Sequence, residues 1–135
     1  MGRWGIALGM LAVAVVSATP LGGASRRQSG DLESECEAGL QFSCGALALR
    51  YKYGDGVPLD LNKAYGYFTR ACSAGLLYAC GYAGEMRITG EGVDADREGG
   101  AQQLRKACAA GDAYSCTAMR RLGIEATKSG LALRE

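Results

Sequence analysis

Six cysteines, Cys36, Cys44, Cys72, Cys80, Cys108 and Cys116, are the residues whose type and spacing point most directly to chemistry, with gaps of 8, 28, 8, 28 and 8. Thiols in such pairs form disulfides, ligate zinc or iron-sulfur clusters, or carry redox reactions. Zinc ligands usually come as close Cys-x2-4-Cys knuckles, and the chain has none. It also has no histidine, which removes Ser-His-Asp and Cys-His pairs, the two-histidine zinc helix and a histidine-held haem. Ser-x-x-Lys, Lys-Thr-Gly, Gly-x-Ser-x-Gly and the Gly-x4-Gly-Lys-[Ser/Thr] phosphate loop are missing as well. The carboxylates Asp55, Asp60, Glu91, Asp94 and Asp96 fall in two short stretches where a general acid and base could meet, but such residues also serve as helix caps and solvated turns. The caps are the favoured reading. No catalytic residue, metal or other cofactor is assigned.

The elements that must position these cysteines follow the same clock. Both cysteine series recur every 36 residues, a period typical of helical solenoids. Laying 36–71 over 72–107 matches 11 of 36 positions without a gap, among them Gly39/Gly75, Gly45/Gly81, Gly54/Gly90, Gly56/Gly92 and Asp60/Asp96. A third unit opens at Cys108 and does not complete the pattern. Within each unit a helix is expected, from Phe42 to Tyr53 and through Cys80 to Thr89, broken by Gly54-Asp55-Gly56-Val57-Pro58 or Gly90-Glu91-Gly92-Val93. Asp60 and Asp96 then cap second helices, from Leu61 to Ala74 and on to Ala109, stopped by Gly75 and Gly111. Asp31 to Glu35 suits the first turn of a short leading helix, and Thr117 to Lys128 a polar terminal one. The predicted architecture is an all-α, short α/α-hairpin solenoid of 36-residue repeats, with units 36–71, 72–107 and a partial 108–130.

The run Leu47-Ala48-x-x-Tyr51-x-x-Gly54-x-Gly56-Val57-x-x-Asp60-x-x-Lys63-Ala64-x-x-x-Phe68-x-Arg70-Ala71 resembles the Sel-one-like repeat, a relative of the tetratricopeptide repeat. With its paired cysteines the chain is most similar to the Helicobacter cysteine-rich protein family, over about residues 31 to 122. That resemblance implies a secreted, disulfide-bridged repeat protein. Some members are described as binding and weakly hydrolysing penicillin, so a weak β-lactam hydrolase is the alternative function it implies, with no residue here onto which catalysis maps. The chain departs from the pattern at Arg87, which replaces Tyr51, and at Gly99-Gly100, which replace Lys63-Ala64. Two glycines inside a helix cost about 1 kcal/mol each relative to alanine, so the second unit's later helix is expected to be weaker.

Nine residues of straight helix would separate the cysteines of a pair by about 12 Å. A disulfide needs roughly 4.4 to 6.8 Å between Cα atoms, so the chain must reverse, and Gly39, Gly75 and Gly111 are placed to do it. Six cysteines allow 15 pairings; equivalence of the repeats selects Cys36–Cys44, Cys72–Cys80 and Cys108–Cys116.

The 135 residues fit one compact unit, and 15 basic against 14 acidic residues leave no footprint for a nucleic acid. Met1 to Ala24 has the three-part layout of a secretory signal, with Arg3, an apolar run from Ile6 to Val16, and cleavage after Ala18 or Ala24. Its 11-residue apolar core is shorter than the roughly 20 residues of a spanning helix, so no membrane span is expected after cleavage. Residues 25–30 read as a linker into a repeat domain over 31–135, and the protein as a secreted or periplasmic monomer. The first helices carry Arg50, Lys52, Arg87, Arg120 and Arg121 with Tyr51 and Tyr53, against Glu85. A mildly basic, aromatic-bearing groove for a protein or peptide partner is the functional expectation, in the role of adaptor or scaffold.

Overall fold

The computed structural model describes residues 28–126, so the expected signal segment lies outside the described residues. Six helices follow one another: α1 (Ser29–Glu37), α2 (Gln41–Tyr53), α3 (Leu61–Ser73), α4 (Leu77–Thr89), α5 (Arg97–Ala109) and α6 (Ala113–Arg121). Each packs on its sequence neighbours, and α4 also touches α6. The fold is the expected all-α hairpin stack, built from alternating long and short reversals.

The short reversal occurs three times with one geometry. Gly39, Gly75 and Gly111 take φ of 93°, 96° and 100°, a left-handed conformation that glycine adopts without Cβ strain. In the middle copy the Gly75 amide donates to the Cys72 carbonyl at 2.9 Å and the Leu76 amide to Ala71 at 3.0 Å. These bonds occupy carbonyls that a helix end leaves open. The next helix starts at once, because the Leu76 carbonyl accepts from Ala79 and Cys80. For this reason α4 begins at Leu77 and runs through Cys80 to Thr89, as expected.

Across each short reversal the cysteines come together, with Cα separations of 4.6, 4.6 and 4.7 Å for Cys36–Cys44, Cys72–Cys80 and Cys108–Cys116. The bonds tie α1 to α2, α3 to α4 and α5 to α6, and no cysteine is free. The long reversals end α2 and α4 on left-handed Gly54 and Gly90. Asp60 and Asp96 then accept from the Lys63 and Gly99 amides at 3.0 and 2.9 Å, opening α3 and α5 as caps.

A main core gathers Ala48, Ala64, Phe68, Ala71, Ala79, Ala83 and Met86 with the Cys36–Cys44 disulfide, and Cys72 packs against it. A smaller one joins Leu104, Ala118 and Met119. Small residues dominate, so the helices approach closely. Gly99 and Gly100 lie inside α5, as expected, but Gly100 serves contact: a Cβ there would overlap the Gly84 carbonyl oxygen and stand 3.1 Å from the Ile88 nitrogen.

Two boundaries differ from expectation at the ends. Ser29 and Gly30, read as linker, form the first turn of α1. The last helix spans Ala113–Arg121, not Thr117 to Lys128: Asp112 caps it early by accepting from Ser115 at 2.8 Å. It stops because Gly123 turns left-handed and Leu122 and Ile124 fold back on the Leu104 cluster, with the Ile124 amide donating to Met119 at 2.9 Å.

Candidate functional site

The helices that open each unit, α2, α4 and α6, place residues 36 apart at equivalent points. Phe42, Tyr78 and Tyr114 form one such set, and the rings near them make a connected cluster. Tyr82 stacks on Phe68 at 4.7 Å on one side and on Tyr114 at 4.1 Å on the other, and meets Tyr78 edge-on at 6.2 Å. Tyr53, 62% exposed at the end of α2, shares a hydrogen bond with the Tyr82 hydroxyl. Rings from all three first helices therefore meet on one face, anchored by Phe68 in the core.

Glu85 ties this cluster to the last helix. Its carboxylate accepts from the Tyr114 hydroxyl at 2.5 Å and from Arg121 at 2.6 Å. Burial pushes the Tyr82 hydroxyl up to about 12, helped by the Tyr53 hydrogen bond. Burial, then the bond to Glu85, raises Tyr114 as well, and burial raises Tyr78. These phenols stay protonated donors at neutral pH, and the cluster presents hydroxyls and ring edges without net charge.

The expected basic groove is differently arranged. Arg50 reaches back to the Ser29 hydroxyl at 3.4 Å. Tyr51 faces its own hairpin, stacked on Tyr67 at 5.7 Å with the Lys63 ammonium 5.0 Å from its ring centre. Lys52 pairs with Glu91 at 2.8 Å. Arg87 binds Asp96 and donates to Gln103 at 3.3 Å, again toward the second helix of its hairpin. Arg121 borders the tyrosine cluster through Glu85, while Arg120 is exposed and bonds to Thr117 of its own helix at 3.2 Å. Four of the five cations reach across to another element. The carboxylates at the breaks are similarly engaged: Asp60 and Asp96 as caps, Glu91 with Lys52.

Sequence reasoning named Tyr51 and Tyr53 and passed over Tyr78, Tyr82 and Tyr114. The signal was present, because aromatic residues recur at 42, 78 and 114 on the same period as the cysteines. Identity alone hid them, since the first of the three is phenylalanine.

Apart from this face, a depression of about 430 Å³ lies beside the Cys72–Cys80 disulfide, walled by Leu77, Gln103, Lys106 and Ala107. Among the described residues no cluster of Cys, Asp and Glu is arranged to hold a metal, and no helix is long and apolar enough to cross a membrane.

Three solved structures share this arrangement. Cysteine-rich protein B of Helicobacter pylori superposes with a TM-score of 0.61 at 28% identity, over 66% of this chain and 67% of that one. A Sel1 repeat protein from Oxalobacter formigenes gives 0.64 at 27% identity, over 69% of this chain. A protective antigen of uropathogenic Escherichia coli with the same repeat fold gives 0.62 at 29%, over 67% of this chain. The chain is similar to the Sel1-like repeat proteins in fold and in sequence. The chain spans 27% of the Oxalobacter protein and 19% of the Escherichia one, both of which are longer. No protein-family profile and no curated protein sequence matches it. Its Sel1-repeat neighbours support a helical-repeat interaction module, and its three disulfides are consistent with an extracytoplasmic location.

Proposed function

We propose that this protein is exported and acts as an adaptor, taking an extended segment of a partner protein on the face formed by α2, α4 and α6. The observation that carries this reading is the tyrosine cluster, in which Tyr53, Tyr78, Tyr82 and Tyr114 converge from three helices onto one surface. Tyrosine supplies rigid amphipathic contact area with a hydrogen-bonding tip, the composition favoured where proteins bind proteins. Of the six residues expected to bind, Arg121 borders this cluster directly. Arg120 lies one residue before it on α6, while Arg50, Tyr51, Lys52 and Arg87 serve as the wall that fixes the first helices against their neighbours. Export is supported by the leader composition together with the disulfides, which persist in oxidising compartments.

The test is site-specific photocrosslinking in the native host. A photoreactive phenylalanine at Tyr53 is expected to capture a discrete partner, whereas one at exposed Gly66 on α3 captures none of it. Equal capture from both positions, or none from Tyr53, rejects the face.

A further inference from the structure

Each first helix begins beside two residues that act as knobs: Leu40 and Phe42 at α2, Leu76 and Tyr78 at α4, Asp112 and Tyr114 at α6. In the inner junctions these knobs seat one unit on the one before. Leu76 is 8% exposed, and a Cβ added to Gly45 would overlap the Tyr78 hydroxyl and stand 2.8 Å from Leu76 Cδ2. At the next junction a Cβ on Gly81 would stand 2.9 Å from Tyr114 Cδ1. A glycine on the receiving helix is thus the seat for an aromatic knob.

The first copy of the knobs has no such seat among the described residues: Leu40 is 51% exposed and Phe42 69%. The place of Gly45 and Gly81 is taken in α6 by Thr117, and the place of Ala48 and Gly84 by Arg120. Both seats in the chain are filled and the third position is blocked by side chains, so a second copy stacked head to tail offers Phe42 nowhere to go.

Charge narrows the occupant. Helix α1 carries Asp31, Glu33, Glu35 and Glu37 and no cation, and Ser43, next to Phe42, is hydrogen-bonded to Glu35. Helix α2, which seats Leu76 and Tyr78, carries Arg50 and Lys52 and no carboxylate. We infer that the Leu40–Phe42 end docks a positively charged helix of another protein that presents a glycine at the centre of its apolar face, a helix of the α2 kind. This concerns the end of the stack and stands without the proposed partner face.

A peptide of α2's own sequence, residues 41–53 with Cys44→Ser, stapled and shown to be helical by circular dichroism, is the probe. Labelled and titrated with the full disulfide-bonded chain, it is expected to bind saturably and more weakly as salt rises. Phe42→Ala in the protein, at an exposed site that leaves the melting curve unchanged, and Gly45→Val in the peptide should each weaken binding by roughly tenfold or more. Absence of binding by the helical peptide, or indifference to either substitution, overturns the inference. Self-association in sedimentation velocity that Phe42→Ala abolishes also overturns it, by assigning the face to a second copy.

Discussion

Gly84 on α4 and Gly100 on α5 touch backbone to backbone: a Cβ on Gly84 would stand 3.0 Å from the Gly100 carbonyl oxygen. The equivalent pair in the first hairpin is Ala48 and Ala64, both fully buried. Two hairpins of the same design thus differ in how closely their helices approach, and the glycines that weaken α5 as an isolated helix are what let it pack.

Opposite signs are therefore expected for two glycine-to-alanine changes. Gly100→Ala should destabilise by about 1 to 3 kcal/mol, because overpacking outweighs the gain in helix propensity. Gly66→Ala in α3, where an added Cβ meets nothing within 4 Å, should stabilise by about 0.5 to 1 kcal/mol. Guanidinium unfolding of the two variants, with disulfides intact, reads both signs.

Removing the central staple as Cys72→Ala with Cys80→Ala should cost about 2.5 kcal/mol by loop entropy for a closure of roughly nine residues. The effect appears in the denaturation midpoint, with the helical far-ultraviolet spectrum retained at low denaturant.

Glu85 serves two partners of unequal worth. Tyr114→Phe should cost about 1 to 2 kcal/mol, since it removes the Tyr114 hydroxyl from a partly buried carboxylate and leaves it only the exposed Arg121 as donor. Arg121→Ala should cost less than about 0.5 kcal/mol, because that side chain is 59% exposed and screened by solvent. A double-mutant cycle with Glu85→Gln separates the two.

Tyr67 and Tyr82 titrate near 12, both chiefly through burial, against an ordinary value of 10.0. Their folded values are raised, so their contribution to stability is complete below pH 10 and is lost as pH climbs from there toward 12. Phenolate absorbance after a rapid pH jump should show amplitude near pH 12 that moves down toward 10 in guanidinium. Asp96 has the opposite sign. The Gly99 amide, then Arg87, hold it below the usual carboxylate value, so its contribution is present above pH 3.8 and fades as pH falls through the lowered value. Asp96→Asn should flatten the acid limb of the stability profile.

Much of this was legible in the sequence because it is local. The 36-residue period, the glycines that reverse the chain, the aspartates that cap α3 and α5, and the pairing of each cysteine with the one eight residues on all depend on neighbours within a turn or two. Backbone sterics and helix-end hydrogen bonding act at that range, so residue type and spacing suffice. Tertiary structure decided what lies between units. It turned Tyr51 and Arg87 toward their own hairpins and joined Tyr53, Tyr82 and Tyr114 across three helices. It also made Gly100 a contact and ended α6 at Arg121 by folding Ile124 onto Leu104. Each depends on how closely two helices approach and at what rotation, which packing of whole faces sets and which no window along one helix contains.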